Sequence, residues 1–88
     1  MQQQRGRHKQ VKATITGAAN NGSGLIRITA ANHGFSTGQH VDITGVGGTT
    51  EANAAHWLIT VITGSTFDLV GSTFTNAYTS GGLAARKD

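Results

Sequence analysis

The chain has 88 residues, of which 13 are glycine, 12% are charged and 6% are aromatic, and it contains neither cysteine nor proline. A chain of this length forms a single domain with a small core, and the lack of cysteine excludes a disulfide framework and a thiolate metal site. Abundant glycine with few charges disfavours long surface helices and favours short strands joined by tight turns.

Basic side chains are concentrated at the N-terminus, within a net charge of +3. Residues 1–12 carry four of them and no acid, whereas residues 13–85 carry Arg27 against three acids. Three roles are open for this segment. It is a solvated tail, it contacts an acidic protein neighbour, or it contacts nucleic-acid phosphates. The predicted partner contacts are Arg5, Arg7, Lys9 and Lys12.

The first part of the chain predicts a β-hairpin. Residues 11–17 alternate apolar and polar side chains, which is typical of a half-buried strand, and residues 25–30 repeat the pattern. Residues 18–24 between them are turn material, in which Asn21-Gly22 can supply the positive φ of a tight turn. The two strands are therefore expected to pair.

A loop over residues 32–38 follows the hairpin. Its lone apolar residue is Phe35, which lies between Gly34 and Gly38. The two glycines allow the chain to turn tightly, so we expect the loop to return the Phe35 ring to the core.

Period-two patterning predicts three further strands, at residues 39–44, 56–62 and 66–70. Both faces of the middle strand are largely apolar, with Trp57 on one of them, so this strand is predicted to be central or to lie at an interface. Phe67 faces inward in the last strand. A sixth short strand is expected around residues 74–79.

Five or six short, mainly antiparallel strands with regular turn signals predict an all-β fold, a small barrel or sandwich. We interpret residues 11–82 as this β-barrel domain, residues 1–10 as a basic N-terminal arm and residues 83–88 as a C-terminal tail. No apolar stretch is long enough for a membrane-spanning helix, and none follows the basic start to form a secretory signal. The chain is therefore expected to fold in a cytoplasm.

Residues with catalytic or metal-binding chemistry are present, but not in a supporting pattern. His33, His40 and His56 match no zinc signature, and we expect them to be solvated. His40 and Asp42 leave one face of a strand, but a hydrolytic triad also needs a pocket and an oxyanion hole. Residues 45–50 lack the lysine of a phosphate-binding loop and are expected to form a flexible surface loop. We predict no catalytic residue, metal or cofactor.

Five motifs in the second part of the chain follow the order of a known family. They are HGFSTGQ at 33–39, VDITGV at 41–46, TEAN at 50–53, TFDL at 66–69 and YTSGG at 78–82. In this order they resemble a small β-barrel module common in tailed-bacteriophage virion proteins. The module is named after the first catalytic cysteine half-domain of ubiquitin-activating enzymes. The resemblance implies a structural module, and no activity carries over to a chain without cysteine.

Three motif residues have predicted physical roles. Glu51 and Asn53 are expected to hydrogen-bond the backbone of the long loop and fix its shape. Tyr78 is expected to close one end of the barrel, with its ring inside and its hydroxyl outside. The remaining predicted structural residues are Phe35, Trp57 and Phe67.

These observations predict a non-enzymatic structural protein of a tailed-phage virion, homo-oligomeric and present in many copies. The first expectation is a capsid decoration or cement subunit, whose arm and termini pack on major capsid or tail subunits. The family's module usually runs on in a longer protein, so the short tail here predicts a free-standing subunit. The predicted localisation is the virion, assembled in the host cytoplasm, with no membrane partner.

Two other functions stay open on the sequence. One is a tail, neck or fibre component that contacts a receptor or glycan through polar loops. The other is a nucleic-acid-binding protein that uses the basic arm, which is disfavoured because the strands lack interleaved aromatic and basic residues.

Overall fold

The computed structural model describes residues 11–87, which form one curled antiparallel β-sheet. Its elements are β1 (Lys12–Thr14), β2 (Gly17–Asn20), β3 (Ile26–Thr29), β4 (His40–Thr44), a 3₁₀ turn (Thr50–Ala52), β5 (Ala54–Thr63), β6 (Thr66–Leu69) and β7 (Leu83–Arg86). The strand order is β1-β7-β4-β5-β6-β3-β2. The all-β prediction is confirmed, with seven strands in the described part instead of five or six.

The sheet curls into a barrel because one stretch of chain supplies both of its edges. β1 and β2 are the outermost strands, yet only Ile15 and Thr16 separate them along the chain. The Ile15 N–H donates to Gly82 O at 2.9 Å, and the Thr16 N–H donates to Thr29 O at 2.9 Å. The chain therefore passes from the side of β7 to the side of β3 at this point and brings the two edges together.

The single strand predicted over residues 11–17 is thus two strands. Residues 18–20, predicted as turn, belong to β2. This strand, not β1, pairs with β3 and forms the first strand of the hairpin. Alternation of side chains cannot reveal this bend, because Ala13 and Ile15 remain buried on the same side throughout.

The C-terminal segment differs most from the prediction. Leu83–Arg86, assigned to a tail outside the barrel, forms β7 between β1 and β4. Ala84 of this strand is fully buried in the core. The ladder continues past β7, since the Lys87 N–H donates to His40 O at 2.8 Å. Conversely, residues 74–79 form no strand, and Ser80 makes only an isolated bridge with Gly47.

The core lies inside the curl of the sheet, and its aliphatic side chains come from alternate positions of nearly every strand. Its largest fully buried members are Ile15, Ile26, Ile28, Val41, Ile43, Ile59, Phe67 and Leu69. β5 takes the central place in the sheet, as predicted. Among residues 11–87 there is no helix of a length and apolarity that would cross a lipid bilayer.

Ending the chain after Gly82 is expected to abolish cooperative folding. The truncation removes β7 and with it the backbone partners of both β1 and β4, leaving their buried polar groups unsatisfied. Far-UV circular dichroism during heating should show no sigmoidal transition. A variant ending at Lys87 keeps β7 and serves as the control, which should melt like the parent chain. A parent-like melting temperature after truncation at Gly82 would show that β7 is dispensable.

Candidate interaction surface

The long loop after β4 is fixed by the side chain of Asn53. Its Oδ1 accepts from the Val46 N–H at 2.9 Å, and its Nδ2 donates to Val46 O at 3.0 Å. The side-chain amide therefore takes the place of a neighbouring strand for Val46, as expected for Asn53 from the sequence. Because both polar atoms of the amide bind this backbone, they are occupied within the chain itself.

Glu51 contacts a different loop from the one predicted. Its carboxylate accepts from the Thr75 N–H at 2.6 Å, the Asn76 N–H at 2.8 Å and the Asn76 Nδ2 at 3.1 Å. Burial alone would raise the pKa of Glu51, but these hydrogen bonds outweigh it and lower the pKa from 4.5 to about 2. The 3₁₀ turn is therefore tied to residues 73–79 by an ionised carboxylate.

The glycine-rich loop packs directly against the segment before β7. Gly48 has a φ of 76°, and a Cβ at this position would collide with Ala77 O and lie 2.6 Å from Thr79 N. Thr49 is fully buried, and its Oγ1 donates to Asn76 O at 2.7 Å. The expectation of a flexible surface loop is therefore wrong for this part of the loop, which is held close to a neighbouring backbone.

Tyr78 and Trp57 both direct a polar atom to the backbone. The half-buried Tyr78 packs against the core, and its hydroxyl lies 3.0 Å from Gly81 O and 3.4 Å from Ile15 O. The half-buried Trp57 donates from Nε1 to Ala52 O at 2.8 Å. Both rings therefore act as anchors between loop and barrel, with their polar atoms engaged.

His33 was expected to be solvated but is buried, with 2% of its surface exposed. Its ring stacks on Phe35 at 5.3 Å and meets Phe67 edge-on at the same centroid distance. Nδ1 accepts from the Phe35 N–H at 3.0 Å, and Nε2 lies 2.8 Å from Thr63 O, so the donor hydrogen belongs on Nε2. Phe35, itself buried, and His33 together form the plug of one barrel end.

A bulge in β5 lies opposite Asp42, the β4 residue that shares a strand face with His40. His40 and Asp42 share the outer face of β4, as predicted. Val41 pairs with Trp57 and Ile43 with Ala54, so two residues of β5 oppose Asp42. One of them, His56, has a φ of 64°, and its N–H donates to Asp42 Oδ1 at 2.8 Å. The carboxylate therefore supports the bulge.

A shallow groove of about 410 Å³ runs beside this bulge. Its lining is mostly aliphatic or backbone, with polar atoms from Asp42, Thr44 and Asn53. The Asn53 amide is bound to Val46 and one Asp42 oxygen to His56, so few polar atoms point to a ligand. Within residues 11–87 no group of three or more His, Asp or Glu side chains is placed to hold a metal ion.

A partly buried ion pair that sequence reasoning missed joins β3 and β6. Arg27 Nε lies 2.8 Å from Asp68 Oδ1, and its Nη2 lies 3.2 Å from Asp68 Oδ2. Asn21 Nδ2 also donates to Asp68 Oδ2 at 2.9 Å. Burial raises the pKa of Asp68, but the hydrogen bonds from Arg27 and Asn21 outweigh it and keep that pKa below its ordinary value.

The outer side of the sheet carries an exposed aliphatic surface, which we call the β5–β6 face: Leu58, Ile62 and Val70. Their exposed fractions are 39%, 44% and 41%. Leu58 and Val70 are cross-strand neighbours, since the Val70 N–H donates to Leu58 O at 2.9 Å. Leu58 and Thr60 lie on the outer side of β5, while Ile59 between them is buried, and the exposed Ile62 follows at the point where the register with β6 shifts.

The predicted basic arm, residues 1–10, lies outside the described residues, which begin at Val11. Arg5, Arg7 and Lys9 belong to that part, and Lys12 is exposed on β1. Within residues 11–87 each acid already has a partner: Asp68 binds Arg27, Glu51 binds residues 75–76, and Asp42 lies 4.0 Å from Lys87 Nζ. The carboxylates among residues 11–87 therefore interact with groups of the same chain.

Replacing Glu51 by Gln is expected to lower the free energy of unfolding by about 1 kcal/mol at neutral pH, because the loop loses its charged acceptor. In the parent chain the folded-state pKa of about 2 lies below the ordinary 4.5. The contribution of Glu51 to stability is therefore complete above pH 4.5 and is lost as the pH falls towards 2. Urea unfolding measured across this range should show a weaker pH dependence for Glu51→Gln. Parallel curves for the two proteins would contradict the assignment.

Comparison with known proteins identifies the fold. Residues 21–87 match the family model described as the ubiquitin-activating enzyme E1 FCCH domain. No individual curated protein matches the chain significantly. The match extends from the turn before β3 to the residue after β7, and so includes five of the seven strands, β3 to β7, while β1 and β2 precede it. Because this segment is well over half of the chain, the protein belongs to the FCCH-domain family of the ubiquitin-activating enzymes E1.

Proposed function

We propose that this protein is a non-enzymatic structural subunit of a tailed-phage virion, present in many copies, and that it decorates or cements the capsid. The observation that carries the proposal is the β5–β6 face, an exposed aliphatic surface within residues 11–87. The resemblance of residues 33–82 to virion modules supplies the phage context. Other virion proteins, and copies of the same chain, are the proposed partners.

The chemistry of the described residues supports a role without catalysis. The FCCH domain is a small non-catalytic domain of E1 enzymes. These 88 residues contain no cysteine, the nucleophile that thioester chemistry requires. The side chains that could have formed a site, such as Asp42, Glu51 and His33, bind backbone groups of the same chain. These hydrogen bonds stabilise the fold.

The size of the β5–β6 face favours a lattice over an isolated dimer. A stable interface buries about 800 Å² on each partner. Three aliphatic side chains that are each less than half exposed supply only a fraction of that area. A contact this small is weak by itself, but many copies on a symmetric particle engage together, so weak contacts add up to firm attachment.

The basic arm supplies a second contact of a different kind. Each acid among residues 11–87 already has a partner in the fold, so we place the partner of the arm on another protein. An acidic surface on a neighbouring virion protein would neutralise the arm, whereas the β5–β6 face would bind through apolar contact. The two contacts respond differently to salt, because only the charged one is screened.

The decisive experiment is quantitative mass spectrometry of purified particles from the source, with the major capsid protein as the internal reference. A copy number close to that of the capsid protein supports the decoration role. A handful to a few dozen copies would move the protein to the neck or tail. Absence from particles would overturn the virion proposal, and binding of the chain to DNA at low salt would then be the next measurement.

Leu58→Ser is expected to reduce occupancy on particles, because it removes an aliphatic side chain of the β5–β6 face that is the cross-strand neighbour of Val70. Leu83→Ser is the matched control, since Leu83 has a similar exposed fraction of 37% but lies on β7. Both substitutions are on the surface and should change the free energy of unfolding by only about 0.5 kcal/mol. Occupancy is read by reconstitution of depleted particles. Equal occupancy for the two variants would show that the β5–β6 face makes no contact.

Deletion of residues 1–10 is expected to weaken particle binding and to leave the melting temperature unchanged. The loss should be largest at low salt, where the charges of the arm act over the longest range. Reconstitution at two ionic strengths measures it. Parent-like binding at both would show that the arm is not an anchor.

A further inference from the structure

We infer that Asn21, in the turn between β2 and β3, is a site of spontaneous deamidation. In the native fold its hydrogen bond to Asp68 keeps this reaction slow. Asn21 alone among the five asparagines of the chain is followed by glycine. Glycine has no Cβ to obstruct the approach of its own nitrogen to the preceding side chain. This inference concerns the chemistry of the turn and does not depend on the proposed virion role.

The reaction needs only water besides the chain. The backbone nitrogen of Gly22 attacks Cγ of Asn21, a C–N bond forms, and the side-chain nitrogen leaves as ammonia. The product is a five-membered succinimide. Water then cleaves one of its two C–N bonds, which yields either aspartate or isoaspartate at position 21. One water is consumed and one ammonia is released, with no change of oxidation state.

The native contacts of Asn21 keep its side chain away from that attack. Oδ1 accepts from the Ser23 N–H at 2.7 Å and from the Leu25 N–H at 3.2 Å. Nδ2 donates to Asp68 Oδ2 at 2.9 Å. The amide is therefore held at both ends, and it must leave these partners before Cγ can reach the nitrogen of Gly22.

The nucleophile is restrained as well. The Gly22 N–H donates to Asn20 Oδ1 at 2.8 Å, and Gly22 has a φ of 100°. The nitrogen must lose its proton to become nucleophilic, and this hydrogen bond holds the proton in place. Both reactants are thus immobilised by contacts that disappear together when the turn opens.

Asp68 is the residue on which this restraint depends. It lies in β6, and its side chain is only 8% exposed. Two hydrogen bonds from Arg27 fix its carboxylate, which then fixes the amide of Asn21. Loss of the Arg27–Asp68 pair is therefore expected to release the turn even where the barrel stays folded.

Deamidation would in turn oppose closure of the turn. An aspartate at position 21 places a carboxylate where Nδ2 now lies 2.9 Å from Asp68 Oδ2, so two like charges compete for one guanidinium. Isoaspartate adds a methylene to the backbone and changes the spacing of the turn. Either product favours the open turn. Once a molecule has been deamidated, its turn therefore opens more readily than before.

The test compares the deamidation rate of the folded chain with that of a free peptide. Trypsin cleaves after Lys12 and Arg27, so the fragment 13–27 contains the turn and reports aspartate and isoaspartate by mass spectrometry. The folded parent and the synthetic 13–27 peptide are incubated at mildly alkaline pH. We expect the folded chain to react at least about tenfold more slowly, the factor that one charge-assisted hydrogen bond provides. Equal rates would overturn the inference.

Asp68→Ala tests the restraining role of Asp68. The variant is expected to deamidate at a rate close to that of the peptide, whereas Asp42→Ala, which removes an acid remote from Asn21, should keep the parent rate. A slow, parent-like rate in a folded Asp68→Ala variant would overturn the role of Asp68. If that variant does not fold, Asn21→Asp replaces it as the test, with a melting temperature expected to fall by about 4 °C or more. An unchanged melting temperature would refute the role of the contact between Asn21 and Asp68.

Discussion

The barrel depends on the antiparallel pairing of β7 with both β1 and β4. This pairing places Leu83–Arg86 between the first strand of the chain and a strand from its middle, so each of three distant segments needs the other two. Ala84 contributes to the core at the same place, and the bend at Ile15–Thr16 then carries the chain across to β3. Long-range pairing of this kind is generally associated with slower folding than local contacts, because the chain between the paired segments must first be closed into a loop.

Side chains that usually serve recognition act inside this fold as substitutes for missing strands. Asn53 pairs with the backbone of Val46, and Glu51 with that of residues 75–76. Both lie where the sheet stops and loops begin, and a small barrel with long loops has many backbone groups to satisfy there. The polar atoms of these two side chains are therefore engaged within the fold, whereas the aliphatic side chains of the β5–β6 face are exposed.

Period-two patterns gave the right faces for most strands. Ile26 and Ile28 of β3 and Val41 and Ile43 of β4 are buried as the alternation indicates, and all belong to strands of which one side meets water. β7 was not predicted from the sequence, because it is short and two of its four residues are alanine, which is depleted in strands. Its strand conformation comes from two neighbouring backbones and not from its own side chains.

The errors in the loops have the same physical origin. Residues 74–79 have a pattern typical of a strand, but hydrogen bonds to the Glu51 side chain replace a ladder there. His33 is buried because Thr63 O and the Phe67 ring are brought to it from thirty or more residues away. The contact of Asn21 and Arg27 with Asp68 likewise follows from strand register, which a single sequence does not contain.

The pairing of β1 with β7 also brings the two ends of the described chain together. The Arg86 N–H donates to Val11 O at 2.8 Å, so the residues that enter and leave the barrel are neighbours in one ladder. A module whose ends are adjacent can be inserted into a surface loop of another protein, because the two ends of that loop need to move only slightly apart. The same geometry permits circular permutation, in which a short linker joins the present ends and new termini are opened in the turn at Gly64 and Ser65.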